Sequence, residues 1–118
     1  MQNKEIHQLK EEIENILNYN KAIEIVSINL IDKTSIADFM IIASGSSSRH
    51  IQALSEILFD ELKKMDVKNC RLEGRESNDW KLIDAKDIIV HIFHPEKRKF
   101  YNLEKMWSEL IPKERLSI

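Results

Sequence analysis

The chain has 118 residues, 42% of them hydrophobic and 32% charged, with a formal net charge of −2, two glycines and two prolines. That length fits a single domain, residues 1–118, with a core able to fold without staples, and the composition excludes disordered and fibrous classes. The near-neutral charge gives no general pull on phosphate backbones, so direct DNA binding is not expected.

Met1 leads straight into Asn3-Lys4-Glu5, with no apolar signal core behind it. No apolar run approaches the roughly 18 residues that would span a membrane, so the expected compartment is a reducing cytosol. The lone Cys70 has no disulfide or CxxC partner and reads as a small buried hydrophobe.

In chain order, Ile6, Leu9, Ile13, Ile16 and Leu17 recur every three or four residues, which predicts an amphipathic helix over 3–18 ended by Asn18-Tyr19-Asn20. Val26, Ile28 and Leu30 alternate with polar residues, the period of a strand with one face covered. Asp32-Lys33-Thr34-Ser35 supplies a turn. Phe39 to Ala43 is apolar at every position, as in a strand buried on both faces. Ser44-Gly45-Ser46-Ser47-Ser48 breaks that strand and offers several N-caps. A helix over 48–65 follows, striped by Ile51, Leu54, Leu58, Leu62 and Met65. Strands are predicted near 69–74 and 79–84, then a central one from Ile88 to Phe93; Pro95 ends it and a helix occupies about 96–110. The order α-β-β-α-β-β-β-α gives an α/β domain with a mixed sheet of about five strands, its two faces covered by three helices.

Candidate chemistry is sparse. Ser44 to Arg49, between a strand and a helix, resembles a phosphate cradle, but it has no Walker lysine and a single glycine; a capped tight turn is the favoured reading. Asp84 and Asp87 straddle a hairpin and read as turn residues rather than a metal pair. His91 and His94 point to opposite faces of an extended chain, so His91 reads as a hydrogen-bonded histidine near the core. Ser46 to Ser48 show no G-x-S-x-G elbow. No catalytic residue, metal or cofactor is assigned. The aromatics carry more. Trp80 follows the polar run Ser77-Asn78-Asp79, and Tyr101 lies off the helical face of Phe100, Leu103, Trp107 and Leu110, beside Lys97, Arg98 and Glu104. Exposed Trp, Tyr and Arg are the side chains enriched at binding hot spots. The plainer reading makes Trp80 a cap on the core at a sheet edge.

Ala37-Asp38-Phe39, Gly45-x-Ser47-Ser48-Arg49, Glu73-Gly74, Asp79-Trp80, Asp84-x-x-Asp87-x-x-Val90-His91 and Tyr101-x-Leu103-Glu104-x-x-Trp107 occur in that order along the chain. Together they resemble the ribosomal silencing factor family, RsfS, also called Iojap or DUF143. The resemblance implies a nucleotidyltransferase-like α/β fold without the catalytic carboxylates and without the activity. It also implies a partner, the large ribosomal subunit met through ribosomal protein L-fourteen, and a role in blocking small-subunit joining when nutrients are scarce. By resemblance Trp80 and Tyr101 make that contact, flanked by Leu82, Arg98, Asn102 and Glu104. A homodimer and a bacterial cytoplasmic location are further expectations. Lys81 departs from the apolar residue common in relatives, and residues 111–118 form a tail beyond a core of about 3–110. The rival reading is a diverged nucleotidyltransferase-like enzyme holding a nucleotide near Ser46 to Arg49.

Overall fold

A computed structural model describes residues Asn3 to Tyr101. Its elements are α1 (Asn3–Tyr19), β1 (Ile23–Asn29), β2 (Phe39–Ser44), α2 (Ser48–Lys64), β3 (Arg71–Glu73), β4 (Trp80–Asp84), β5 (Ile88–Phe93) and α3 (Pro95–Tyr101). The predicted order is the observed one. The strands form one mixed sheet, β1-β2-β5-β4-β3. Only β2 and β5 run parallel; the β1–β2, β5–β4 and β4–β3 pairs are antiparallel. The two most apolar strands, β2 and β5, therefore sit side by side at the centre, where both faces need cover.

Period-two alternation divides the sheet. Phe39, Ile41 and Ala43 of β2, Ile88, Val90 and Ile92 of β5 and Ile83 of β4 pack with Ile6, Leu9, Ile13 and Leu17 of α1 and Ile51, Leu54, Leu58 and Leu62 of α2. Met40, Ile42 and Phe93 point the other way, into a smaller cluster with Leu30, Ala37, Ile28, Ile89 and Trp80. Three helices sharing the cover of both faces were expected. Both long helices instead stack on one face, and among the described residues only α3 reaches the other, at its Ser44 end. There Arg98 donates from Nη1 to Ser44 Oγ (3.0 Å) and to the Ile23 carbonyl (3.4 Å).

Both long helices stop by the same device. After α1 the Lys21 and Ala22 N–H groups return to the Asn18 and Leu17 carbonyls, with Lys21 at φ 66°. After α2 the Asp66 and Val67 N–H groups return to Lys63 and Leu62, with Asp66 at φ 60°. These are Schellman closures built without glycine, each holding a side chain in the left-handed region. β1 begins at Ile23, ahead of the Val26–Leu30 alternation, because a register shift lies between Ile23 and Val26, with Glu24 at φ 50°.

Candidate partner-binding surface

The second face of the sheet is where half-buried apolar and aromatic groups gather. β4 turns Trp80 and Leu82 to it and β5 turns Ile89, His91 and Phe93, with Trp80 opposite Phe93 and Leu82 opposite His91. Met40, Ile42 and Phe93 are buried there, whereas Trp80, Leu82, Ile89 and His91 are half-buried.

Trp80 is held from three sides. Its indole Nε1–H donates to His91 Nδ1 at 3.2 Å, a diagonal pair across β4 and β5. Indole is a donor only, so Nδ1 is the bare ring nitrogen and the His91 proton sits on Nε2. Burial pushes the His91 pKa down to about 4, which keeps the ring neutral and the acceptor available at ordinary pH. The His91 ring stacks on Phe93, centroids 5.7 Å apart and 10° between planes, and lies 6.4 Å from the Trp80 ring. Beneath the indole is Gly74, at φ 79°; a Cβ there would come within 2.9 Å of Trp80 Cε3 and 2.7 Å of its carbonyl oxygen. Only glycine meets both the backbone angle and that approach.

The loop leading to Trp80 is tied internally. Ser77 Oγ accepts from the Asp79 and Trp80 N–H groups at 3.2 and 3.1 Å. Lys81, which points to the helix-covered face and is 3% exposed, brings its Nζ to the carbonyls of Gly74 (2.8 Å), Arg75 (2.6 Å) and Ser77 (2.6 Å). An ammonium group has three donors and all three are used, which makes its burial tolerable. Lys81 is thus an internal clip that supports the surface rather than a part of its outer chemistry.

The other site residues expected from sequence divide. Leu82 lies beside Trp80 on the half-buried strip. Arg98, expected to flank the contact, is only 5% exposed and anchors α3 to Ser44 and Ile23. Tyr101 is the last residue of α3; Asn102, Glu104 and the expected inward face Leu103, Trp107 and Leu110 lie outside the described residues. Sequence reasoning read His91 as a hydrogen-bonded histidine near the core, as observed, but missed that its partner is Trp80 and missed the Gly74 and Lys81 roles, because each depends on strand register. The signals present were the Glu73-Gly74 step and a lysine inside a strand.

The catalytic alternatives lose ground on geometry. Two amides of the supposed phosphate loop are already used, Gly45 N–H by the Phe93 carbonyl (3.0 Å) and Ser46 N–H by His50 Nδ1 (2.9 Å). His50 Nε2 then donates to the Asn20 carbonyl at 2.9 Å, and Ser47 is the N-cap of α2. This is the capped tight turn. Asp84 accepts from the Lys86 N–H and meets Arg71 at 3.4 Å, as a turn residue does. Among the described residues no group of three or more His, Cys, Asp or Glu could hold a metal ion, and no helix is long and apolar enough to cross a membrane. Cys70 packs against the main core, where burial and then the nearby Asp84 push its thiol pKa up, away from reactive thiolate.

Comparison with known proteins gives a consistent picture. Residues 3–117 match the family model described as "Ribosomal silencing factor during starvation". The ribosomal silencing factor RsfS of Zymomonas mobilis is 49% identical over 92 residues, 78% of this chain and 69% of that protein. The mouse protein named "Mitochondrial assembly of ribosomal large subunit protein 1" is 29% identical over 96 residues, 79% of this chain and 42% of that protein. A crystal structure of a Chromobacterium violaceum protein superposes with a TM-score of 0.81 at 33% identity, covering 92% of this chain and 88% of that one.

Proposed function

The chain belongs to the ribosomal silencing factor family, and from that premise we propose that it acts as a translation repressor by binding the large ribosomal subunit. The contact runs through ribosomal protein L-fourteen and blocks joining of the small subunit when nutrients are limiting. The protein works by occupancy, not catalysis: a large subunit carrying it has no room for the small subunit. The observation that carries this reading is the half-exposed Trp80, fixed on an aromatic sheet face that neither of the two long helices covers. A rigid aromatic anchor amid apolar neighbours is the usual centre of a protein–protein hot spot. The name of the mouse relative supports the large subunit as the partner. Trp80 and Leu82 form the described part of the contact, the family resemblance adds Tyr101, Asn102 and Glu104 to it, and Arg98 holds α3 in place.

Co-sedimentation with isolated large and small subunits, followed by a subunit-joining assay, tests the reading. The wild-type protein is expected to pellet with large subunits alone and to inhibit joining. Trp80→Ala is expected to cost roughly 2–4 kcal/mol of binding, about 30- to 1000-fold in affinity. Binding to small subunits only, or a folded Trp80→Ala protein that binds as well as wild type, overturns it.

A further inference from the structure

We propose that His91 is the positioning residue of the contact: by accepting the indole N–H it holds Trp80 in the one orientation that presents its outer edge to a partner. The inference rests on the binding role given to Trp80 above. Trp80 opens β4 directly after a loop, and a side chain at a strand end has more rotamers open to it than one in mid-strand. Gly74 leaves space beneath the ring but sets no direction for it. Among the described residues the indole N–H has one hydrogen-bond acceptor, His91 Nδ1, at 3.2 Å. His91 is itself fixed: its ring stacks on the buried Phe93, and its backbone lies inside β5, paired with Ile42 on one side and Leu82 on the other. An anchor whose rotamer is set before binding loses less entropy on binding, and that saving appears as affinity. A merely packed aromatic in place of His91 would fill the same space without setting the indole's direction.

The test compares wild type with His91→Leu, which removes the acceptor and keeps an apolar side chain, and His91→Asn, whose side-chain oxygen can take the place of Nδ1. Two readouts are used on the full chain. The first is the Trp80 indole N–H signal in a nitrogen–proton correlation spectrum, assigned by its loss in Trp80→Phe, with its rate of exchange into deuterated water. The second is affinity for isolated large subunits. In His91→Leu the indole N–H is expected to shift and exchange faster, and affinity to fall about tenfold, the loss of one part-buried hydrogen bond; His91→Asn is expected to recover most of both. Amide dispersion like that of wild type shows that each variant is folded. An indole signal unchanged in His91→Leu overturns the proposal, as does unchanged affinity where wild type binds. If wild type itself fails to bind large subunits, the functional reading falls, and the indole signal alone then decides whether His91 orients Trp80.

Discussion

The two faces of the sheet are made by the same five strands, often by adjacent residues, yet they are built to different rules. On the helix-covered face Ile41, Ile83, Ile88, Val90 and Ile92 are fully buried beneath α1 and α2, and the one charged side chain there, Lys81, has all three donors used by carbonyls. On the opposite face Trp80, Leu82, Ile89 and His91 stay half-buried, and their order comes from one hydrogen bond and ring stacking as much as from packing. The first face stabilises the domain. The second keeps a fixed aromatic shape in contact with solvent. A side chain on the first can be judged by the volume it fills, whereas one on the second must be judged by the direction it sets.

That contrast can be broken by experiment. The largest effect is expected on the helix face: Leu58→Ala empties a fully buried site in α2 and is expected to lower unfolding stability by about 3 kcal/mol in a urea titration. Affinity of the remaining folded protein for large subunits should stay within error, and a specific loss of binding there would blur the division. A similar effect is expected on the second face, but one that depends on pH. The His91 pKa is about 4 when folded, below the usual 6.5, so the unfolded chain takes up the proton first as pH falls. The stability His91 allows is whole above pH 6.5 and is lost on going down towards pH 4, by about 3 kcal/mol. The gap in stability between wild type and His91→Asn should therefore shift by that amount across the window, and a constant gap would contradict a buried neutral imidazole.

A smaller effect separates the support from the surface. Lys81→Met keeps the apolar stem and removes the ammonium group, leaving the Gly74, Arg75 and Ser77 carbonyls to find other donors. A loss of about 2 kcal/mol is expected, with faster amide exchange confined to residues 74–79. Loss spread evenly over the domain would mean that Lys81 belongs to the core rather than to the loop. The smallest effect is expected at the rim, where Arg71 meets Asp84 at 3.4 Å with the arginine side chain 72% exposed. Arg71→Ala should change stability by no more than about 0.5 kcal/mol in the same titration.

Much of this was legible in the sequence. The 3.6-residue stripes of α1 and α2 named the residues that now line the main core, and the apolar runs at Phe39–Ala43 and, broken only at His91, Ile88–Phe93 identified the two central strands. The turn at Ser44–Ser48 was legible as a capped turn because serines there serve a helix start. The anchoring role of Arg98 was not legible, because an arginine beside lysine and glutamate reads as surface and nothing local shows that Ser44, 54 positions earlier, accepts from it. The helix ends were legible to within a residue, but the way they close was not: with only two glycines in the chain, Lys21 and Asp66 fill the left-handed positions where a glycine is the usual marker.

The sequence by itself determined the elements, their order and which residues alternate onto each side of a strand, because these follow from periodicity and local backbone preference. It also carried the motifs that led to the family. Only the tertiary structure decided which strands are neighbours and in what register, and hence that Trp80 meets His91, that Gly74 lies under the indole, and that Lys81 closes on three carbonyls. Those contacts join residues whose spacing along the chain has no period to betray it. Their partners are fixed by the pairing of β4 with β5 and by the folding back of the 74–79 loop, which depend on the burial of the whole sheet rather than on any local run of residues.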